Sequence, residues 1–407
     1  MLNSSQHLYF EGNNILLSAF VPHQTNHESR VTNRAIQLKK EEFMGHLAGK
    51  EEILKQLRAR LHKNPIGLPE HSSIYEILSI LFTEKEAEVG ARFPLGVVTI
   101  EELQKAVGKD KDELEGILKG MMKKGLVVTT TKDGQIRYLL SAAFVGFFEF
   151  TFMRANESLP MKRLAELMHT YKNTPEFIQE FFSPGTSRGR TYVYSGNLPK
   201  VKSEILRFDE AAEQIKMAGR GSLTKCYCRH EAWHLGKNCS APIDDICMSL
   251  GNASDFVVEQ GFGRRATVQE LLDTLKKGED FGLVHIGDNI LDQTTFICNC
   301  CGCCCGFLEG ITRHHLKHAV TTTNYLARLD HEECNGCEIC ADHCQIKAIR
   351  MEGDYPVVDE EFCLGCGVCA HFCPSGAMKM EEREKKIIPP KNYKELMVRL
   401  MKEKGRI

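Results

Sequence analysis

Apolar residues recur at helical spacing in the first third of the chain, and polar residues mark where helices begin. An amphipathic helix is predicted by apolar positions three or four residues apart, namely Ile74, Ile77, Leu78 and Leu81. Cap-like pairs predict three helix starts, at Ser73 with Glu76, Thr99 with Glu102, and Asp110 with Glu113. An Asp-Gly turn at residues 133–134, between two apolar runs, predicts a β-hairpin over residues 126–140. The pattern therefore indicates three short helices followed by a hairpin.

Three helices and a hairpin in this order resemble a winged helix-turn-helix, so we interpret residues 71–156 as a winged-helix-like domain. The resemblance implies DNA binding through the helix that begins near Asp110. The first half of that helix is acidic, with Asp112, Glu113 and Glu115, whereas contacts to phosphates and bases need basic and polar side chains. We therefore do not expect DNA to be a partner, and a role in protein contacts or in structure is favoured.

Similar signals predict the segments on either side. Residues 1–70 are predicted to be an N-terminal helical segment, and residues 157–225 a helical linker domain with two helices that break at Pro175. Within this linker we expect a strand at residues 190–194 and a helix capped by Asp209. Residues 383–407 are predicted to be a basic amphipathic tail that forms a docking helix. The predicted fold class is α+β, with several domains.

Cysteine usage constrains the compartment. The chain has 407 residues and 18 cysteines, and none of these lies in the first 225 residues. Cysteines clustered at metal-ligand spacing indicate ligation and not disulfides. No apolar run reaches the ~20 residues of a membrane helix, and the first 20 residues lack the basic start of a secretory signal. We therefore expect a cytoplasmic protein without a membrane span.

The net charge of −2 conceals an uneven distribution. Residues 321–382 carry twelve acidic and four basic residues, whereas residues 383–407 carry nine basic and three acidic ones. An acidic surface near a redox centre attracts a partner of opposite charge, although it also serves solubility. A redox partner protein is the partner we expect.

One cysteine pattern occurs twice, with 29 residues between equivalent positions. The first run is Cys334, Cys337, Cys340 and Cys344, and the second is Cys363, Cys366, Cys369 and Cys373. Three cysteines at this spacing wrap one cubane cluster, and the fourth ligand comes from elsewhere. A pair of zinc sites is the alternative, but zinc sites are built from pairs of cysteines. The runs therefore favour two [4Fe-4S] clusters.

These runs, with matching flanks at Ala348 and Ala377, resemble the bacterial-type two-cluster ferredoxin, so residues 321–382 are expected to be a ferredoxin-like domain. In that family the fourth cysteine of each run ligates the other cluster. The resemblance implies cluster 1 at Cys334, Cys337, Cys340 and Cys373, and cluster 2 at Cys344, Cys363, Cys366 and Cys369. Gln345 stands where the family usually has proline.

A second group of cysteines leads us to interpret residues 226–320 as a cysteine-rich metal-binding domain. Its ten members are Cys226, Cys228, Cys239, Cys247, Cys298, Cys300, Cys301, Cys303, Cys304 and Cys305. Thiolates this dense would repel one another and oxidise unless a metal neutralised them. In an extended segment neighbouring side chains point to opposite faces, so residues 298–305 can serve two centres. Ten thiols suffice for two further cubanes with two to spare, or for one larger iron–sulfur cluster.

Zinc is the alternative metal for this central region. His230, Glu231 and His234 fit the His-Glu-x-x-His pattern of zinc peptidases, but no third ligand is evident downstream. Arg229 is expected to donate hydrogen bonds to cluster sulfurs. The region resembles a sparsely characterised group of anaerobe iron–sulfur proteins, in which Cys-x-Cys-Arg-His and Cys-Asn-Cys-Cys-x-Cys-Cys-Cys precede a two-cluster ferredoxin module.

These patterns predict an iron–sulfur electron-transfer protein that serves an anaerobic oxidoreductase system. Gly261 and Gly263 are followed by Arg264 and lack the third glycine of a dinucleotide site, so we expect electrons to come from another protein. Two alternatives stay open. One is a redox-sensing transcriptional regulator, and the other is a reductase that uses an unusual central cluster.

Overall fold

Short helices with one buried apolar face build the first part of the chain. The computed structural model describes residues 49–156, 158–198, 208–237 and 239–407, so most of the predicted N-terminal segment lies outside the described residues. Helices span residues 49–62, Ser72–Leu81, Glu84–Arg92, Ile100–Val107, Lys111–Lys123, Phe148–Phe152, Met161–Lys172 and Pro175–Phe182. The break predicted at Pro175 is confirmed, because Thr174 caps the second helix of that pair.

The predicted helix caps have different outcomes. Thr99 and Glu102 form the reciprocal capping box, and Asp110 accepts a hydrogen bond from the backbone N–H of Glu113. The capping box predicted at Ser73 is wrong, because the cap is His71, whose ring nitrogen accepts from the backbone N–H of Ser73. An imidazole nitrogen can supply the same acceptor as a hydroxyl oxygen.

The predicted hairpin is present, with β1 at Val127–Lys132 and β2 at Gln135–Leu140 paired antiparallel. Asp133 and Gly134 both have positive φ angles, 53° and 75°, as a two-residue hairpin turn of this type requires. The base of the hairpin packs inward: Val128 and Phe150 contact Phe256 and Phe262. This end of the hairpin therefore packs against the rest of the chain.

A six-stranded antiparallel sheet forms the centre of the molecule, in the order β3-β7-β8-β5-β4-β6. Its strands are β3 (Gly189–Tyr192), β4 (Gly221–Thr224), β5 (Cys247–Leu250), β6 (Gly263–Ala266), β7 (Val284–Asp288) and β8 (Phe296–Cys300). The helices of this region are Ala211–Ala218, Tyr227–His234, Gly251–Glu259, Val268–Asp280 and Gly306–Thr312. The fold is thus α+β.

The boundary predicted at residue 225 divides this sheet, so the description of residues 157–225 as a helical linker domain needs correction. Strands β3 and β4 come from that segment, yet they pair with β7 and β5 from the cysteine-rich region. The cap predicted at Asp209 is also wrong. Asp209 is buried and accepts from Arg190, and the cap position of the following helix is Glu210. Residues 52–407 form one compact unit, so the predicted segments within it are not separate bodies.

The C-terminal region contains two small antiparallel pairs. Strand β9 (Tyr325–Leu329) pairs with β12 (Met378–Glu382), and β10 (Ile349–Glu352) pairs with β11 (Tyr355–Val358). Short helices at Ile339–His343 and Val368–His371 complete this region.

The tail forms the helix Tyr393–Glu403, as its apolar spacing predicts. Leu396 and Leu400 are buried against Ile290. Beyond the helix, Lys404 and Arg406 form ion pairs with Glu180, at 2.6 and 2.8 Å. The tail therefore docks on its own chain. None of the described helices is both long and apolar enough to cross a membrane.

Candidate metal centres

The two cysteine runs of the C-terminal region surround two small cavities. Cys334, Cys337, Cys340 and Cys373 line one of them. Cys344, Cys363, Cys366 and Cys369 line the other. Each cavity thus takes three cysteines from one run and the fourth from the other. Glu338 and Gly367 occupy equivalent positions of the repeat, and both adopt left-handed backbone angles at the start of a short helix.

The two sets differ in exposure. Cys337 of the first set is exposed, whereas Cys363 and Cys369 of the second are buried. Burial raises the pKa of the Cys366 thiol to about 12, so an uncompensated thiolate would be unfavourable at this position. Metal ligation removes that cost because the metal neutralises the thiolate charge.

Six of the ten central cysteines line one cavity, and each interacts electrostatically with two of the others; we call these six the six-thiol ring. Around the ring the order is Cys226, Cys228, Cys305, Cys300, Cys298, Cys247 and back to Cys226. The contacts shift the thiol pKa values in opposite directions. Contact with Cys247 lowers the pKa of Cys298 to about 7, whereas contact with Cys228 raises the pKa of Cys305. Five of the six thiol pKa values are raised and only that of Cys298 is lowered, as expected where few of several adjacent thiols can ionise together.

The sheet and two helix starts position the ring. Cys298 and Cys300 are two residues apart on β8 and therefore share one face of the sheet. Cys247 begins the adjacent strand β5, whose next residue, Met248, pairs with Ile297. Cys226 and Cys305 occupy the N-cap positions of the helices Tyr227–His234 and Gly306–Thr312. The ring thus forms where one sheet face meets the ends of two helices.

The other four central cysteines, Cys239, Cys301, Cys303 and Cys304, form a separate cluster, which we call the four-thiol group. All four sulfur atoms lie within 4.8 Å of one another. The Cys239 and Cys301 sulfurs are 3.7 Å apart, and those of Cys303 and Cys304 are 3.6 Å apart. Cys301 is buried, and Cys303 is exposed. The structure therefore divides the central cysteines into six and four.

A buried arginine and a half-buried lysine lie beside these thiols. Arg229 is 1% exposed, and its Nη1 atom donates to the Cys301 sulfur at 3.6 Å and to the Asn299 carbonyl at 3.1 Å. Although burial acts to lower the Arg229 pKa, attraction to Cys226, Cys247 and Cys301 raises it overall. Lys172 forms a 2.6 Å ion pair with Glu231, close to Cys228. Fixed positive charge of this kind favours anionic thiolate ligands.

An apolar cavity of about 310 Å³ adjoins the six-thiol ring. All six ring cysteines contribute to its wall, together with mainly apolar residues such as Phe150, Phe256 and Phe307. Glu149 and Tyr227 are among its few polar residues. Burial raises the pKa of Glu149 to about 7, although its carboxylate accepts from the backbone N–H of Gly146 at 2.7 Å.

The zinc-peptidase alternative finds little support. His230 and His234 lie on one helix, with ring centroids 4.9 Å apart. The His230 Nδ1 atom is 2.7 Å from the Phe152 carbonyl oxygen, and Glu231 is paired with Lys172. Glu231 is therefore engaged in an ion pair and not aimed at a water between the two histidines.

Gln345 connects the C-terminal region to the central cysteines. It directly follows Cys344, and its side-chain oxygen accepts from the backbone N–H of Gly302 at 2.9 Å. Its side-chain nitrogen donates to the Gly282 carbonyl, also at 2.9 Å. A Cβ added at Gly302 would lie only 1.8 Å from the Gln345 carbonyl oxygen, so the two segments touch.

A second connection runs through aromatic side chains. The backbone N–H of Tyr194 donates to the Cys366 carbonyl at 3.0 Å, and the Tyr194 ring lies 4.8 Å from that of His285. His285 in turn contacts the Asn299 side chain at 2.6 Å, between Cys298 and Cys300 in sequence. The sequence analysis missed these roles of Tyr194 and His285. Gln345 did carry a signal, since it departs from the expected proline.

Comparison with known families agrees with the geometry of the C-terminal region. Residues 333–377 match the family model described as 4Fe-4S dicluster domain. No curated protein and no solved structure matches the chain. The C-terminal region thus contains an iron–sulfur domain of the ferredoxin type, and a second set of clustered cysteines lies beside it.

Proposed function

We propose that this protein is an electron-transfer protein that accepts electrons at its ferredoxin-like domain and passes them to an iron–sulfur cluster held by the six-thiol ring. In this proposal clusters 1 and 2 have the ligands predicted from the sequence. When bound, such clusters supply one-electron chemistry at low potential. The observation that carries the proposal is the contact of Gln345 with Gly302, because it joins the residue after Cys344 to the backbone segment that carries Cys300 of the six-thiol ring.

The exposure of the two cysteine sets supports a direction for the transfer. Cys337 is at the surface, whereas Cys363 and Cys369 are buried towards the rest of the molecule. Acidic side chains near Cys337 include Glu332, Glu333 and Glu338, which are exposed. A basic face on a redox partner would be attracted to this surface. Cluster 1 would therefore receive electrons, and cluster 2 would pass them inward.

Two series of contacts support the inward step. One follows Cys344, Gln345 and Gly302 and continues along the backbone through Cys301 to Cys300 of the six-thiol ring. The other follows Cys366, Tyr194, His285 and Asn299 to the flanking Cys298 and Cys300. In each connection the contacting groups are buried or half-buried. Burial limits the access of water to these contacts, which favours short and well-defined contacts.

The regulator alternative receives less support. DNA binding by a winged helix-turn-helix would use the helix Lys111–Lys123, whose first turn carries Asp112 and Glu113. The hairpin beside it packs on the helix Gly251–Glu259 through Val128 and Phe256. We propose a structural role for residues 71–156, which would brace the central region.

A reductase is the second candidate, and the cavity beside the six-thiol ring favours it. At about 310 Å³ the cavity falls at the lower end of the range of small-molecule sites, about 300–1,000 Å³. Its wall is mainly apolar, with Glu149 as a neutralisable acid. Xenon binding to the anaerobic protein would test it. We expect xenon to bind in the wild type and not in Ala253→Phe, which narrows the cavity; no binding to the wild type would count against a substrate space.

Metal and sulfide analysis tests the main proposal. Anaerobically purified protein should contain more than the about eight irons of two cubanes. In Cys298→Ser/Cys300→Ser, iron and inorganic sulfide should fall together to about that number, while the EPR signals of the ferredoxin-like domain remain. Cys337→Ser serves as the reciprocal control and should affect the ferredoxin-like domain instead. Iron unchanged by the double substitution would contradict the proposal.

A further inference from the structure

We propose that the four-thiol group binds one thiophilic metal ion in a tetrahedral site that is separate from any iron–sulfur cluster. Its donors would be the sulfur atoms of Cys239, Cys301, Cys303 and Cys304. This inference goes beyond the electron-transfer function proposed above and holds whatever the six-thiol ring contains.

The sulfur distances match a mononuclear site. With metal–sulfur bonds of about 2.3 Å, the sulfurs of a regular tetrahedron lie about 3.8 Å apart. The measured distances of 3.7 and 3.6 Å agree with this spacing, and all four sulfurs fall within 4.8 Å of one another. A cubane binds each cysteine at a different iron atom, so its ligands must stand farther apart.

The same chain provides a comparison for the cluster case. Residues 333–377 match a 4Fe-4S dicluster domain. Within the part of the chain that the structure describes, the four-thiol group is nevertheless the only set of His, Cys, Asp or Glu donors drawn this close together. The described cysteines of the dicluster domain form no group of three or more donors within 4.8 Å of one another. The spacing of the four-thiol group therefore suits a single metal ion and not a four-iron cluster.

The local backbone explains how four sulfurs converge. Gly302 allows the chain to turn between Cys301 and Cys303, and no larger residue fits because the Gln345 carbonyl lies against it. Cys239 approaches from a separate segment, so the group closes a long loop. A metal ion there would hold that loop against residues 301–304. This link stabilises the fold because it reduces the conformational entropy of the unfolded chain.

Arg229 supplies an independent indication of a charged occupant. It is 1% exposed, and its Nη1 atom donates to the Cys301 sulfur at 3.6 Å. Its Nη2 atom has no hydrogen-bond partner among the described residues. Four thiolates around one divalent ion leave a net charge of −2, and the buried guanidinium of Arg229 reduces it to −1. Zinc and ferrous iron both suit four thiolate donors in a tetrahedron.

Counting metal and sulfide in full-length variants tests the proposal, because a mononuclear site contains no inorganic sulfide. In Cys303→Ser/Cys304→Ser we expect one metal atom per chain to be lost, with sulfide unchanged. Zinc loss identifies a zinc site and iron loss an iron site, and either result supports the proposal. Loss of several irons together with sulfide would overturn it. Cys298→Ser, in the six-thiol ring, is the matched control and should lose iron and sulfide while keeping the single ion.

X-ray absorption of the wild type keeps the test valid if the variants do not fold. For a zinc-containing sample, we expect four sulfur neighbours at about 2.3 Å and no metal neighbour. For an iron-only sample, Mössbauer spectra should contain one high-spin component of a single tetrathiolate iron. Absence of both a zinc site and such a component would overturn the proposal.

Discussion

The side-chain oxygen of Gln345 accepts a hydrogen bond from the backbone N–H of Gly302, with 2.9 Å between the two atoms. This contact joins the residue after Cys344 to the turn between Cys301 and Cys303. Proline, which two-cluster ferredoxins usually have at the Gln345 position, offers no side-chain amide for either this bond or the one to Gly282. The departure from the ferredoxin pattern therefore coincides with the contact between the two cysteine regions.

Gln345→Ala should weaken that contact and leave the clusters in place. Two half-buried hydrogen bonds are lost, so we expect the free energy of unfolding to fall by about 1–3 kcal/mol. Iron content should not change, but magnetic coupling between cluster 2 and the central region should decrease in EPR spectra. Gln135→Ala, at an exposed hairpin position, is the control. Identical spectra and stability in the two variants would show that the Gln345 contact has no role.

Arg229→Lys should destabilise the central region although charge is kept. Lysine cannot reproduce the guanidinium bonds to the Pro242 and Asn299 carbonyls and to the Cys301 sulfur. We expect a loss of about 2–4 kcal/mol in the free energy of unfolding. In protein whose four-thiol group holds iron, the reduction potential of that iron should fall, since hydrogen bonds to sulfur raise it. Potentiometric titration checks this, with Arg220→Lys on the surface as the control. Equal potentials would contradict the predicted role.

Glu149 should make stability depend on pH. Burial raises its folded-state pKa from 4.5 to about 7, opposed by the Gly146 N–H, Lys172 and Tyr227. Between these two values the unfolded chain has released the proton and the folded chain retains it, so stability falls as pH rises from about 4.5 to about 7. The total loss should be about 3 kcal/mol at most. The free energy of unfolding, measured anaerobically from pH 5.5 to 8, should show this fall in the wild type and not in Glu149→Gln. Parallel curves would refute the prediction.

Leu400→Ala should loosen the tail. Leu400 is buried against Ile290 and Leu396, so truncation should cost about 2–5 kcal/mol if the cavity does not collapse. Limited proteolysis should then cleave within residues 391–407 first. Ile407→Ala changes an exposed residue and is the control. Proteolysis at wild-type rates in Leu400→Ala would mean that the tail contributes nothing to the fold.

Local signals in the sequence predicted local structure well. The caps at Thr99 and Asp110 and the turn at Asp133-Gly134 depend on residues only a few positions apart, and all three are present. The cap predicted at Asp209 is wrong because its carboxylate accepts a hydrogen bond from Arg190, which is distant in sequence. The dicluster domain was predicted because its cysteine repeat lies within one short stretch, and residues 333–377 match such a domain.

The division of the central cysteines into six and four could not be read from spacing. Cys300 and Cys301 are adjacent in sequence, yet one belongs to the six-thiol ring and the other to the four-thiol group. Their separation depends on where β8 ends and on how β5 and β7 align beside it. Cys239 joins the four-thiol group through its contact with Cys301, which lies 62 residues later in the chain. Which group each cysteine joins is decided by strand pairing and loop closure, and the number and spacing of cysteines do not reveal either.

The most direct test of electron transfer into the central region is a flash experiment on the anaerobic protein. A positively charged ruthenium complex, bound to the acidic face near Cys337, would inject one electron, and rapid-freeze EPR would follow it. We predict that the signal of the ferredoxin-like domain forms first and then decays as a central signal grows, and that Cys337→Ser greatly slows the central signal. A central signal that grows equally fast in Cys337→Ser, or one that never grows in the wild type, would contradict the proposed path.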